Sequence, residues 1–160
     1  MGVFKLDEVD HKILDILIDN TRIPFTEISK KLLISAGTVH VRVRKMEEAG
    51  IIKGSTLNLD YIKLDYSFIA YVGLFLEKNR MTDQVLLDLK NIPYVTVAHI
   101  TTGRFNIFCK VRARDTKGAK EVIFLIDDIP GVQRTETMIS LEESINDKKR
   151  LMHQIFNDLN

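Results

Sequence analysis

Cys109 is the only cysteine in the chain, which excludes an internal disulfide and any zinc site built on cysteine pairs. No stretch approaches the roughly 20 apolar residues of a membrane-spanning helix, and the N-terminal MGVFKLDEVD has no long apolar run. There is no Gly-rich phosphate loop, no HExxH and no paired Cys/His metal spacing, and His11, His40, His99 and His153 are scattered along the chain. Low-complexity segments and a Pro/Ser-rich linker are also missing. The expectation from these absences is a cytoplasmic protein that is not an enzyme and has no cofactor, metal or membrane partner. At 160 residues, 45% hydrophobic and 28% charged, the chain has room for one domain or two small ones.

A net charge of +1 does not by itself announce a nucleic-acid partner, but its distribution is uneven. Between residues 28 and 55, Lys30, Lys31, Arg42, Arg44, Lys45 and Lys53 face only Glu47 and Glu48, while residues 1–27 are acidic on balance. Local positive charge is what the release of counterions from DNA requires. On charge alone a solvated helix face is the simpler reading.

Spacing adds to charge. In SAGTVHVRVRKMEEAG, residues 35–50, Val39, Val43 and Met46 fall on one helical stripe, with Ser35 suited to cap the start and Gly50 to stop the end. Thr38, Val41, Arg44 and Lys45 fall on or near the opposite face, with His40 and Arg42 on its flanks. Before it, PFTEISKKLL reads as a shorter helix with Phe25, Ile28 and Leu32 inward, and only Ile34 separates the two. Two short helices across so tight a joint, the second basic, form a helix-turn-helix pattern. A first helix, 6–20, capped by Asp7, precedes them. Residues 51–59 read as two short strands about Gly54-Ser55, which completes a winged helix-turn-helix over residues 1–60.

Residues 61–66 connect to a second pattern. Strands are expected at 67–76, 95–101, 105–111 and 132–141, and helices at 81–90 and from Asp115 to Ile126. This is the β-α-β-β-α-β order of a ferredoxin-like unit, so the fold class is α+β, with the second domain spanning 67–160. A last helix, 145–159, is expected to be capped by Ser144 and to carry a Leu151/Ile155/Leu159 stripe. Both faces of the first strand, SFIAYVGLFL, are apolar, while two helices cover only one face of such a sheet. A second copy of the chain is the simplest cover for the other, ahead of burial by the C-terminal helix, so a homodimer is expected, and two recognition helices then suit two half-sites.

These residues resemble a known family. LDEVDHKILDILIDNTRIPFTEISKKLLISAGTVHVRVRKMEEAGIIKG resembles the DNA-binding half of the Lrp/AsnC feast-or-famine transcription regulators, and ITTGRFNIFCKVRARD with GVQRTETMISLEE resembles their regulatory (RAM) domain. The resemblance covers residues 5–143 and lies closest to the asparagine-responsive branch. It implies a nucleoid-associated regulator of a palindromic double-stranded operator, assembled as a dimer or octamer, that responds to a free amino acid, asparagine first. Thr38, Val41 and Arg44 are then placed to face base edges. Ser35, Arg42, Lys45, Lys53 and Arg22 are phosphate candidates, and His40 is either a DNA contact or simply solvated.

For the effector, Thr101, Thr102, Gly103, Arg104, Phe105 and Asn106 form the candidate loop. Gly103 permits positive φ and close approach of a ligand, and the threonine hydroxyls and loop amides suit a carboxylate. Glu136 is the candidate acceptor for an ammonium, with Gln133, Thr135 and Thr137 completing the site. Without the resemblance, these residues read as an ordinary hairpin turn and exposed strand threonines. Many family members carry an acid at the position of Asn106. Two other classes share the layout: an architectural DNA-wrapping protein with no effector, and a sirohaem decarboxylase, for which only His99 lies in the right region.

Overall fold

The structure is a computed structural model that describes residues 5–147 and 149–158. The chain divides into two compact units, one made of residues 1–58 and 145–160 and the other of residues 59–144.

The first unit is built on helices α1 (Glu8–Asp19), α2 (Phe25–Leu32) and α3 (Ala36–Glu48). Asp7 caps α1 through a reciprocal pair, its carboxylate taking the Asp10 amide while the Asp10 carboxylate takes the Asp7 amide. Ser35 caps α3 by accepting from the Thr38 amide at 3.0 Å. Gly50, at φ 72°, closes α3: its amide reaches the Glu47 carbonyl and the Ile51 amide the Met46 carbonyl, the crossed pair of bonds that left-handed glycine allows. Ile13, Ile28, Val39 and Met46 have no exposed surface and form the centre of the small core, with Val43 and Leu14 beside them. The spacing of Val39, Val43 and Met46 therefore packs as the sequence suggests.

Two features differ from the sequence reading. Residues 52–60 form no strands, so the expected hairpin is absent among the described residues. Gly54 sits at φ 137°, and Leu57 and Leu59 are exposed; two short strands with no third to pack on are marginal. The last helix, α6 (Lys149–Asp158), belongs to the first unit instead of the second. It starts four residues later than expected, where Asp147 accepts the Lys149 amide at 2.9 Å. Met152 packs on the core of the first unit, while Leu151, expected inward, is 69% exposed. Lys149 and His153 lie three residues before and one after Met152, on the same helix face, and pair with Asp19 and Asp15 at 2.8 and 2.7 Å. Leu159 lies outside the described residues.

The second unit is a four-stranded antiparallel sheet in the order β2-β3-β1-β4, with β1 (Phe68–Leu76), β2 (Val95–Ile100), β3 (Ile107–Ala113) and β4 (Val132–Ile139). Helices α4 (Thr82–Lys90) and α5 (Thr116–Asp127) interleave with the strands in the ferredoxin-like order. Asp115 caps α5 through the Gly118 amide at 2.8 Å. Val72, Leu74, Ile107, Cys109 and Val111 from the sheet meet Val85, Leu89 and Ile126 from the helices in one core. Burial pushes the Cys109 thiol up to about 11, so it stays protonated and packs as an apolar side chain. Among the described residues no helix is long and apolar enough to cross a membrane.

Candidate nucleic-acid and ligand sites

Helix periodicity separates two faces on α3. Opposite the buried Val39, Val43 and Met46, the side chains of Thr38, Val41, Arg44 and Lys45 are exposed, Val41 to 51%. An exposed valine between polar neighbours costs apolar hydration and suits contact with a base edge or a thymine methyl. Arg44 is held along the helix by Glu48 at 2.9 Å. Both groups are well exposed, so the pair is weak and leaves the guanidinium available. Lys5, which the sequence reading missed, lines an open groove with Gly37, Thr38, Val41 and Lys45. Arg22 and Lys53 are exposed outside α3, in the turn after α1 and in the segment after Gly50.

Two of the expected DNA contacts, Arg42 and Ser35, are engaged within the chain, and a third, the exposed His40, touches a neighbouring ring. Arg42 turns back to α1, meeting Asp7 at 2.7 Å and the buried Asp10 at 2.8 Å. The two carboxylates raise the Arg42 pKa, Asp10 more than Asp7, and the Asp7 carboxyl is held below its usual range by the Asp10 amide first and Arg42 second. Arg42 thus ties the third helix to the start of the first. The clue in the sequence was the pair of acids one turn apart at the head of α1. The Ser35 hydroxyl is used as a cap and also meets the Thr38 hydroxyl at 2.8 Å. His40 stands edge-on to Phe25, ring centres 6.0 Å apart.

In the second unit the face of the sheet away from α4 and α5 carries an aromatic cluster. Tyr71 stacks on Phe108 at 5.7 Å, Phe108 lies 5.8 Å from Phe105, and Phe105 meets Phe75 edge-on at 5.2 Å. Phe105 lies against Gly73, where a Cβ would overlap its ring, so glycine is required there by space. Arg134 lies 3.6 Å from the Phe75 ring centre, and Arg104 lies 5.7 Å from that of Phe105. Both guanidiniums reach the Glu136 carboxylate at 2.7 Å.

The expected effector residues are therefore only partly brought together. Arg104, Phe105 and Glu136 meet. Glu136, expected to receive an ammonium, already holds two guanidiniums. The Thr101 amide donates to the Asn106 carbonyl at 3.1 Å and its hydroxyl to the Phe105 carbonyl, so neither is open to a carboxylate. Asn106 is structural: its side-chain carbonyl takes the Leu76 amide at 2.9 Å and its amide donates to Asn79 at 2.7 Å, prolonging the grip of the loop on β1. Thr102 and Gly103 are exposed, and Gly103 is not at positive φ. Thr135 pairs with Leu74 and Thr137 with Val72, on the helix side, whereas Glu136 pairs with Gly73 on the other. The Thr135 hydroxyl accordingly reaches Asp127 at the end of α5, 2.8 Å away. Gln133 is exposed. Among the described residues no group of His, Cys, Asp and Glu is arranged to hold a metal.

Residues 6–53 match the model of a winged helix-turn-helix DNA-binding family, and residues 69–149 match that of the Lrp/AsnC ligand binding domain. The chain is 38% identical over 144 residues to regulatory protein AsnC of Haemophilus influenzae, a match covering 88% of this chain and 94% of that protein. The solved structure of AsnC from Escherichia coli is 34% identical with a TM-score of 0.87, over 90% of this chain and 97% of that one. A Neisseria meningitidis transcriptional regulator, solved as a complex with L-Met, shares the fold at 21% identity and a TM-score of 0.82, over 91% of this chain and 96% of that one.

Proposed function

The chain belongs to the Lrp/AsnC family of DNA-binding transcription regulators, and from that premise we propose that α3 reads an operator in the major groove while the second unit takes a free amino acid. The observation that carries the DNA reading is the exposed face of Thr38, Val41, Arg44 and Lys45, directly opposite the buried stripe of the same helix. Arg44 is the candidate for a bidentate guanine contact, Val41 for a thymine methyl, and Lys45, Lys5, Lys53 and Arg22 for phosphates. Arg42, paired with Asp7 and Asp10, serves as a strut between α3 and α1 in this reading.

Asparagine is the first effector to try, because the AsnC relatives cover nearly the whole chain. L-Met in the complex of the more distant regulator makes methionine the second. The region proposed for the ligand is the loop 102–105 with Glu136; Thr101, Asn106 and Thr135 are engaged elsewhere, and Thr137 lies on the opposite side of β4 from Glu136. A ligand ammonium there competes with Arg104 and Arg134 for the Glu136 carboxylate, so binding is coupled to breaking an ion pair. The aromatic face of the sheet is the proposed contact with a second copy, since Tyr71, Phe75, Phe105 and Phe108 gather on the side away from α4 and α5. By linkage, an amino acid that favours one assembly or one spacing of the recognition helices alters DNA affinity, and DNA alters the affinity for the amino acid equally.

Calorimetric titration of the protein with each free amino acid, with mass followed by light scattering, tests the sensor. Binding of asparagine with a change in mass or DNA affinity is the expected result. No heat from any amino acid would remove the sensor, leave DNA recognition standing and favour an architectural DNA-wrapping role.

A further inference from the structure

The chain passes between the two units twice, at 58–59 and at 144–145, so two stretches of chain join the DNA-binding unit to the other. Within the second unit one side chain holds the chain near both crossings. Arg112 of β3 donates to the Tyr66 carbonyl at 2.9 Å and lies 4.7 Å from the Tyr61 ring centre, on the incoming segment. It also lies 3.6 Å from the Glu143 carboxylate, which pairs with Lys110 too, on the outgoing segment. These three side chains are 12%, 16% and 23% exposed for Arg112, Lys110 and Glu143, so water weakens their pairing less than on open surface. Past Glu143 the chain returns to the first unit as α6, which is fastened to α1 by Met152, Lys149 and His153.

We propose that α6 is a second tether, clamped at its origin by Arg112 and Glu143, that restrains the DNA-binding unit so that two copies are presented together to two half-sites. This rests on the dimeric reading above. A single flexible connection would leave each recognition helix to find its half-site separately, and orienting it on binding would cost affinity. Two anchored crossings meet part of that cost before DNA arrives. The tether acts on the pairing of half-sites, not on the reading of either, because neither α6 nor the clamp contributes a residue of the outward face of α3.

The test uses the full chain, a chain ended after Ser144, and Met152→Asp, which keeps α6 but puts a charge against the apolar core. Glu143→Gln weakens the clamp and leaves the α6 contacts in place. Each is titrated, with no amino acid present, against an operator selected from random sequence by the intact protein and against a half of it. Melting and light scattering accompany every variant. The expected result is half-site affinity within about two-fold of the intact chain, operator affinity lower by on the order of ten-fold, and unchanged mass. Equal losses on both DNAs would make α6 only a stabiliser of the fold, and no loss on either would leave the tether without effect; both overturn the proposal. A fall in mass on truncation would assign α6 to assembly and overturn it as well. An intact chain that binds operator and half-site alike would fail the dimeric reading, and the tether with it, whatever amino acid the second unit takes.

Discussion

Arg42 and Arg44 are two residues apart on one helix, and Thr135 and Glu136 are adjacent on one strand, yet in each unit the neighbours do different work. A helix turns about 100° per residue and a strand 180°. In the DNA-binding unit that rotation sends Arg42 back to Asp7 and Asp10 while Arg44 faces out. In the ligand-binding unit it sends Thr135 to Asp127 beside the helices and Glu136 to Arg104 and Arg134 beneath the loop. Residue type marks what a side chain is able to do, and the angle at which the backbone presents it decides whether it holds the fold or meets a partner.

The two units also differ in what holds them, and removing a core residue from each separates them most strongly. Ile28→Ala in the first and Leu74→Ala in the second, both with no exposed surface, are each expected to cost about 2–5 kcal/mol. Thermal melting should show each substitution moving its own transition. One transition moved by both would mean that the units unfold together and would break the comparison.

Next in size is Arg42→Gln. It leaves the Asp10 carboxylate buried without its cation, at about 1–3 kcal/mol in the melting of the first unit. The slope of DNA affinity against salt should stay as it was, because Arg42 meets carboxylates and not phosphates. A slope reduced by about one would return Arg42 to the phosphate contacts.

Acid has a smaller effect on the first unit. The depressed carboxyls of Asp7, Glu8 and Asp19 all lie in the first unit, and Asp19 owes its shift first to its hydrogen bond with Lys149. Their folded pKa values lie below the unfolded ones, so the folded state binds fewer protons. The stability they contribute is present above the unfolded values near 4 and is lost as pH falls through the folded values. Melts taken from pH 5 down to pH 2 should show the first unit losing this increment, and Asp19→Asn should remove part of it. An acid profile unchanged by that substitution would contradict the assignment.

The smallest expected effect is a gain. Leu33, between α2 and α3, is 92% exposed and left-handed at φ 55°, a conformation that suits asparagine better than leucine. Leu33→Asn should raise the stability of the first unit by up to about 1 kcal/mol with DNA affinity unchanged. Lost DNA affinity would show that the exposed leucine serves the interface.

Much of this was legible in the residues. Val39, Val43 and Met46 announced the buried side of α3 and thereby its outward side, and Asp7, Ser35, Gly50 and Asp115 marked helix ends where the structure has them. Strand alternation alone separates Thr135 and Thr137 from Glu136, so the division of that candidate set was readable as well. Contacts between residues far apart in sequence were not: Arg42 with Asp10, Asn106 with Leu76, and Met152 with the first core depend on the fold as a whole. The hairpin after Gly50 failed for a related reason. Its residues have strand character, but a strand needs partners, and the described chain supplies none there.

The most direct measurement is the affinity of Arg44→Ala and Lys45→Ala for a selected operator and for random DNA at one salt concentration. Arg44→Ala should lose about 1–3 kcal/mol of discrimination, with random DNA barely affected, while Lys45→Ala weakens both DNAs alike. Equal losses on both DNAs for the two variants would contradict the claim that the outward face of α3 divides reading from holding.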